Sequence, residues 1–270
     1  MYKFFVVLLM LGSVTLSYAE TKIKRIIVNP WISYWATLSM SDVNNLLRSE
    51  AETFRTMTPS SFTIFDVTEF RTPNIIGIDI DCDYDIKPNF YLTGRIEYIM
   101  TPPGKIDAER EIGINPQDNS TVYARILRTV EVTLVPVMFG VAYIKEVDPV
   151  TSVAGKLYLG YAFSNGNAKI ESNDAVYPQY NYEVPMQGGG FVSEFVANAN
   201  LKIAENLFIG LNFGWRIMNI PEMKSINDVP QEKLNKGDSF KDKSGKTIEF
   251  DFTGWTYAFN FSYKFDNPFK

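Results

Sequence analysis

The hydrophobic pattern of residues 255–265 places an aromatic side chain at every second position. Successive side chains of a strand point to opposite faces, so one face carries Trp255, Tyr257, Phe259, Phe261, Tyr263 and Phe265. The opposite face carries Thr256, Ala258, Asn260, Ser262 and Lys264. A soluble strand turns its apolar face toward a core, whereas here the larger face is aromatic throughout. The pattern is typical of a strand whose outer face contacts lipid.

A period of two recurs along the chain and predicts eight strands in total. They cover residues 30–40, 74–85, 90–100, 122–143, 153–163, 189–204, 207–220 and 248–265. In the first of these, Ile32, Tyr34, Ala36 and Leu38 are predicted to share one face. In the fourth, the alternation changes phase near Leu134 and Pro136. Because proline cannot donate to a strand ladder, we predict a β-bulge there.

The connections between these strands alternate between short and long. Residues 85–89, 145–152 and 205–206 form short turns, whereas 41–73, 101–121, 164–188 and 221–246 are long and polar. This asymmetry is typical of bacterial outer-membrane barrels and predicts that both chain termini are periplasmic. In the first long loop, Ser41 precedes a helical repeat, which predicts one short helix. The repeat consists of Val43, Leu46, Leu47, Ala51 and Phe54.

The N-terminal segment has the pattern of a secretory signal peptide. Lys3 precedes an apolar run over residues 4–16, and small residues follow up to Ala19. The run is shorter than the ~20 residues that a spanning helix needs. We therefore predict a signal peptide over residues 1–19 and a barrel domain over residues 20–270. In the remaining chain, the uncharged stretch 132–144 is also too short to span, so a membrane location requires a closed barrel.

The eight segments resemble the small eight-stranded outer-membrane barrels, the OmpA, OmpX and OmpW-like group, over essentially the whole mature length. The last strand adds to this resemblance, because Gly254, Tyr257 and Phe259 fit the Gly-x-x-aromatic-x-aromatic signal of the barrel-assembly machinery. Phe252 stands where that signal usually has a polar residue, and the sequence DNPFK follows Phe265. The resemblance implies an all-β, antiparallel up-and-down transmembrane barrel that contacts outer-membrane lipid and is folded by that machinery.

Composition excludes several function classes. Without residues 1–19 the chain carries 25 basic and 31 acidic residues, an excess of acid that offers nothing to nucleic acid. Histidine is absent, which removes the usual base of nucleophilic triads and the commonest transition-metal ligand. The enzymes known on barrels of this type rely on a catalytic histidine, so we predict a non-enzymatic protein. Cys82 is the only cysteine and is assigned to an outward apolar face.

The candidate functional residues are twelve charged side chains on the predicted inward faces. The acids are Asp79, Asp81, Asp83, Glu97, Glu131 and Glu194, and the bases are Arg95, Arg125, Lys156, Lys202, Arg216 and Lys264. An eight-stranded barrel is only wide enough for its side chains, and buried charges must pair. The pattern predicts a balanced charged network that plugs the lumen. The alternative is a gate, or a path for protons or solutes.

The run of aspartates in the second strand also invites a calcium interpretation. Asp79, Asp81 and Asp83 match the first three ligand positions of an EF-hand loop. Tyr84 stands where that loop needs glycine, and Phe90 stands where it needs a bidentate glutamate. Strand alternation explains the spacing without a metal, so we predict neither a metal nor a cofactor.

The sequence favours a structural or cell-surface interaction role. Tyr177, Tyr180 and Tyr182 lie in a long loop, where they bind a surface ligand or belong to the interfacial aromatic belt. The alternative function, implied by the OmpW-like resemblance, is a narrow conduit for small apolar molecules with a lateral opening between strands. A secreted lipocalin-like carrier would need an apolar lumen and a polar outside, which is the opposite of the pattern in the last two strands.

Overall fold

The structure is a computed structural model that describes residues 23–56, 63–84, 87–173, 181–241 and 245–266. The predicted signal peptide and the loop tyrosines Tyr177 and Tyr180 lie outside these residues. In chain order the elements are β1 (Arg25–Leu38), α1 (Ser41–Thr56), β2 (Thr63–Thr68), β3 (Asn74–Asp83), β4 (Phe90–Met100), β5 (Gly104–Ile114), β6 (Thr121–Glu146), β7 (Thr151–Ser172), β8 (Tyr182–Lys202), β9 (Leu207–Ile220), β10 (Met223–Ser225), β11 (Phe250–Asp251) and β12 (Gly254–Asp266).

Eight of these strands close into a ring. The order around the ring is β1, β3, β4, β6, β7, β8, β9 and β12, and β12 pairs again with β1. Every neighbouring pair is antiparallel. The expected all-β, eight-stranded up-and-down barrel with one short helix in the first long loop is thereby confirmed. None of the helices in the described residues is long and apolar enough to cross a membrane.

The two ends of the barrel differ. At one end, named here the turn end, short connections join β3 to β4, β6 to β7 and β8 to β9, and Arg25 of β1 pairs with Asp266 of β12. The other end, named the loop end, carries α1, β2, β5, β10 and β11. The loops predicted over residues 41–73 and 101–121 therefore contain a helix and two further strands. β5 pairs with β2 and with the loop-end half of β6.

The strands β7 and β8 extend well beyond their predicted loop-end limits, to 22 and 21 residues, whereas β6, with 26 residues, stays close to its predicted range of 122–143. On β7 the outward positions from Val153 to Phe163 are mostly apolar, and those from Asn165 to Glu171 are polar. On the loop-end half of β6 the inward side chains between Ala124 and Leu134 are instead apolar and buried, except Arg128. The outer face of β7 is therefore apolar in the turn-end half of the barrel and polar toward the loop end.

This change of facing corrects the interpretation of the fourth predicted strand. β6 keeps one register against β7 from Ile126 to Glu146, so the β-bulge predicted near Leu134 and Pro136 is wrong. Pro136 instead interrupts the pairing with β4, which lapses between Val137 and Leu134 and resumes in the same register. The apolar positions of β6 change from the outward to the inward face because the surroundings of this continuous strand change. Its turn-end half has an apolar outer face, and its loop-end half packs its inner face into an apolar core.

A register shift does occur in β1, between Ile32 and Trp35. As a result, Ala36 is buried inside the barrel, whereas Ile32 belongs to the outward positions. The prediction that these two residues share one face is wrong, because an extra residue in a strand reverses the facing of everything after it. β1 also begins at Arg25, five residues before the predicted start.

The loop end of the barrel is sealed by an apolar core. Helix α1 buries Val43, Leu47, Ala51 and Phe54, as the helical repeat predicts, and they join inward side chains of the barrel strands in one cluster. Gly104 of β5 permits this close packing, since a Cβ there would lie 2.6 Å from Leu47 Cδ1. The helix is thus held as a plug over the interior rather than as a rim around it.

Candidate functional site

Seven of the twelve predicted charged residues meet in the middle of the lumen, in a group named here the charge cluster. Its members are Asp79, Asp81, Arg95, Glu97, Lys156, Glu194 and Arg216, contributed by β3, β4, β7, β8 and β9. Each is at most 4% exposed. Two cross-strand pairs organise the group, because Asp79 lies opposite Arg95 and Glu194 lies opposite Arg216.

Arg95 is the centre of the charge cluster. Its Nε lies 2.7 Å from Asp79 Oδ1 and its Nη2 lies 2.9 Å from Asp79 Oδ2, which is the bidentate geometry of a strong charge-assisted pair. Its Nη1 donates to Glu194 Oε2 at 3.0 Å. The guanidinium also lies 4.8 Å from the ring centre of Trp31 and 4.5 Å from that of Tyr158, so two aromatic rings fix its orientation.

Lys156 forms the turn-end side of the charge cluster. Its Nζ lies 2.7 Å from Asp81 Oδ2 and 3.2 Å from Asp79 Oδ2. Asp81 also accepts hydrogen bonds from Thr93 Oγ1 at 2.5 Å and from Asn29 Nδ2 at 2.8 Å. The two aspartates are therefore saturated with donors, as buried carboxylates must be.

Five uncharged partners of the cluster were missed in the sequence, and one of them, Thr256, donates to Glu194 Oε1 at 3.1 Å. Tyr158 and Trp31 both donate to Asp79, at 3.1 Å each, and Thr93 and Asn29 donate to Asp81. Thr93 and Tyr158 lie on predicted inward faces, so alternation was a signal that could have found them. The inward positions of Trp31 and Asn29 could not be found in this way, because they depend on where β1 begins and on which of its faces is inward. The pattern of that segment reveals neither.

Arg216 closes the loop-end side of the charge cluster and is fully buried. Its Nη2 donates to Glu194 Oε2 at 2.8 Å and to Glu97 Oε1 at 2.7 Å. Glu97 Oε2 is 2.6 Å from the same nitrogen but lacks hydrogen-bond geometry, and Arg216 Nε and Nη1 have no partner among the described residues. Gly214 makes room for this arrangement, since a Cβ there would lie 2.9 Å from Glu194 Oε1.

The predicted balance of six acids and six bases is not what the structure brings together. The charge cluster holds four acids against three bases, and Glu97 has the fewest hydrogen bonds of the four carboxylates. Each cation therefore holds at least two carboxylates. Removing one cation would therefore take a charged partner from at least two buried acids.

The other five predicted residues lie outside the charge cluster. Arg125 and Glu131 are exposed on outward positions of β6, because that strand has no bulge to turn them inward. Arg125 pairs with Asp107 of β5, and this hydrogen bond holds the pKa of Asp107 below its usual range. Asp83 and Lys202 are half-buried at the turn end. Lys264 is also there, where its Nζ lies 3.1 Å from Glu146 Oε1.

The lumen changes character along its axis. On the turn-end side of the charge cluster there is a polar cavity of about 390 Å³, whose lining includes Asp81, Lys156, Asn198 and Lys264. On the loop-end side, the cluster is followed by the apolar core beneath α1. No group of three or more side chains in the described ranges is placed to hold a metal ion. The arrangement can hold charge and fill space, and it offers a blind cavity at one end.

A second ion-paired group fastens the loop end. Arg128 Nε of β6 lies 2.8 Å from Glu50 Oε2 of α1, and Arg128 Nη1 lies 3.3 Å from Glu232 Oε1 in a 3₁₀ turn over Pro230–Glu232. Tyr182 of β8 also donates to Glu232, at 2.6 Å. Burial lowers the pKa of Arg128, but the two carboxylates outweigh burial and raise it. This group ties the helix and the loop after β10 to the barrel wall.

Comparisons with known proteins find similarity in structure only. No family model and no curated protein sequence matches the chain. Among solved structures, the outer membrane protein OprG from Pseudomonas aeruginosa is 10% identical, with 91% of this chain and 97% of that one covered and a TM-score of 0.44. The attachment invasion locus protein Ail of Yersinia pestis is 8% identical, with 90% and 99% covered and a TM-score of 0.39.

A major outer membrane protein from Thermus thermophilus is also similar. It is 10% identical, with 89% of this chain and 99% of that one covered, and its TM-score is 0.38. The architecture is established by the strand pairing of the chain itself. The closed ring of eight antiparallel strands with an apolar outer band makes the chain a small β-barrel of the outer-membrane type.

Proposed function

We propose that this protein is a non-enzymatic outer-membrane barrel that anchors a surface-exposed extension and serves a structural or cell-surface interaction role. The extension consists of α1, β2, β5, and the loop-end halves of β6, β7 and β8. In this proposal the loop end faces the exterior, and the turn end with both chain termini faces the periplasm. The lumen is plugged by the charge cluster.

The observation that carries the proposal is that the outward side chains of a single strand change from apolar to polar along its length. On β7, the apolar outward positions from Val153 to Phe163 span about 33 Å of strand, which is about 25 Å of height at the tilt of such barrels. That height matches the apolar band of an outer-membrane barrel. The outward positions from Asn165 onward are polar and suit water, so the strand continues outside the membrane as part of a water-facing structure.

The filled lumen supports an anchoring role over a transport role. An axial path would have to pass the charge cluster and then the apolar core beneath α1. Moving the cluster aside would separate buried ion pairs, which is strongly unfavourable. An apolar solute would meet buried carboxylates and guanidinium groups, and a polar solute would meet the apolar core. Neither class of solute finds a suitable path along the axis.

The tip of the extension supports the interaction role. Ile112, Ile114, Val122 and Tyr123 are between 39% and 63% exposed on the hairpin formed by β5 and β6. Thr121 lies twelve residues beyond Thr133, or about 40 Å along β6, where the outward face is already polar. Lipid of the protein's own membrane does not explain apolar side chains at that distance, and clustered exposed apolar residues mark contact surfaces.

Cysteine labelling in intact cells tests the orientation and the surface display. In a Cys82→Ser background, Asp118→Cys places a thiol at the hairpin tip and Asp148→Cys places one in the turn between β6 and β7. We expect a membrane-impermeant maleimide to label the tip on intact cells and to label the turn only after the outer membrane is permeabilised. Labelling of the turn but not the tip on intact cells would reverse the proposed orientation.

Planar-bilayer recordings test the plug against the conduit. The purified barrel is expected to give no steady conductance, with or without small apolar solutes, because the lumen is filled. Uptake of apolar solutes into vesicles that contain the barrel, at a rate above that of vesicles alone, would instead favour the conduit. That result would point to a lateral exit between strands.

A further inference from the structure

A groove on the outer surface lies where β1 ends beside β12, and it is named here the seam groove. It has a volume of about 780 Å³, and its lining includes Thr37, Ser39, Arg71, Thr72, Trp215 and Trp255. Thr37 of β1 pairs directly with Trp255 of β12, and Trp255 pairs with Trp215 of β9. The seam groove therefore spans the outer surface of three neighbouring strands.

The backbone around the seam groove is held firmly. Ser39 N donates to Thr253 O at 2.8 Å, which ties the end of β1 to the start of β12. Gly254 allows the two strands to approach, because a Cβ at that position would collide with the carbonyl oxygen of Thr37. Phe70, which precedes Arg71, is buried, and its N donates to Asn44 Oδ1 of α1 at 2.9 Å. The groove is a preformed feature rather than a gap between loose segments.

The seam groove lies at the loop-end border of the apolar outer band. On the band side it is bounded by Trp215 and Trp255, whose ring centres are 4.6 Å apart, and Trp255 stacks on Phe213 at 4.7 Å. On the other side it is bounded by Arg71, Thr72 and Ser39. One wall is therefore aromatic and lies at the edge of the lipid-facing surface, and the opposite wall carries hydroxyl groups and a cation.

Arg71 supplies a charge that no residue in the described part of the chain neutralises. Neighbouring arginines in this part of the chain are paired, since Arg48 lies 2.5 Å from Glu69 and Arg55 lies 3.2 Å from Glu52. Arg71 is exposed and forms neither an ion pair nor a hydrogen bond with any described residue. A guanidinium group that is free in this way, beside hydroxyl groups, is suited to a phosphate oxygen.

From this geometry we infer that the seam groove binds an anionic membrane amphiphile, a phosphorylated glycolipid of the leaflet that surrounds the loop end. The acyl chains lie against Trp215 and Trp255, and the phosphate pairs with Arg71. Thr37, Ser39 and Thr72 receive the hydroxyl groups of the sugar. The inference rests on the proposed orientation, in which the border of the apolar band at the loop end is the level of the outer-leaflet headgroups.

Quenching of tryptophan fluorescence tests this site in detergent micelles. The probe is a glucosamine phosphate with two acyl chains brominated near the headgroup, and the reference probe is the same compound without its phosphate. The wild-type barrel is expected to bind the phosphorylated probe at least tenfold more tightly. Arg71→Ala is expected to abolish this preference while leaving the affinity for the reference probe unchanged, and Arg71→Lys is expected to keep most of it.

The matched control is Arg48→Ala, which removes an exposed arginine that is already paired and should leave the preference intact. Equal affinity for the two probes in the wild type, or a preference that survives in Arg71→Ala, would overturn the inference. Competition by water-soluble glucosamine phosphate at the affinity of the acylated probe would assign the groove to soluble phosphates and refute a membrane lipid as its occupant.

The two proposals can fail separately. Binding in micelles does not depend on which side of a membrane the loop end faces, whereas the maleimide experiment depends on that alone. If the groove prefers the phosphorylated probe but the maleimide labels only the turn on intact cells, the proposed orientation is overturned and the phosphate site is established. If the groove binds both probes equally but the maleimide labels the tip on intact cells, the phosphate site is overturned and the surface display is retained.

Discussion

Substituting Arg216 by alanine tests whether the charge cluster is a structural plug. The side chain is fully buried and donates to both Glu97 and Glu194. Without it, four carboxylates share two cations, and Glu97 keeps only a 3.5 Å contact with Arg95 among the cluster's bases. Breaking a buried pair by removing one partner typically costs ~3 to 5 kcal/mol. We expect a loss of this size in the free energy of unfolding.

Urea unfolding in lipid vesicles measures this change, with tryptophan fluorescence as the signal. Arg216→Met serves as a second variant, because it keeps more of the side-chain volume and removes the charge. If the unpaired acids cause the loss, Arg216→Met should also be strongly destabilised, and adding Glu97→Gln and Glu194→Gln should recover most of the stability. A cavity effect alone would leave Arg216→Met close to the wild type.

Lys264→Ala is the matched control for this series. Lys264 pairs with Glu146 at the turn end, where the glutamate is 63% exposed, so its removal should cost at most ~1 kcal/mol. The plug is refuted if Arg216→Ala unfolds at the wild-type urea concentration while the wild type carries a steady current that this substitution alters. Such a result would mean that the cluster lines a path.

Leu159 lies on the outward face of β7 in the apolar band, and Leu159→Arg should lower the free energy of unfolding by ~2 to 4 kcal/mol if this position is near the bilayer midplane. Asn165→Arg on the same face should change the free energy of unfolding by less than ~0.5 kcal/mol in the same urea titration. Arg128→Met should release the loop after β10, which limited proteolysis will detect as faster cleavage there without loss of the barrel. Backbone hydrogen bonds lower the pKa of Asp148, so its contribution to the turn is present above the usual aspartate range and is lost as pH falls through the lowered value. Amide hydrogen exchange should therefore show the turn loosening only at acidic pH, and Asp148→Asn should remove the pH dependence.

The sequence determined the barrel most clearly in strands whose outward side chains are apolar at nearly every position. The predicted strands 90–100 and 207–220 coincide with β4 and β9, because their outward side chains are apolar from end to end apart from Asn219. The inward facing of Asp79, Arg95, Glu97, Lys156, Glu194 and Arg216 follows from the same alternation. Their encounter is also predictable in kind, since charges inside a narrow barrel have only one another as partners.

The extension and the exact membership of the charge cluster were decided by tertiary structure. Polar outward residues on β5 and on the loop-end halves of β7 and β8 resemble loops in sequence, although inward residues of these strands join an apolar core with α1. One continuous register on β6 turns Arg125 and Glu131 outward, and one shift in β1 brings Ala36 inward. Strand alternation is a local property with two possible phases. The tertiary structure decides which set of alternating side chains faces the interior. It does so because the eight strands and α1 pack together although they are far apart in the sequence.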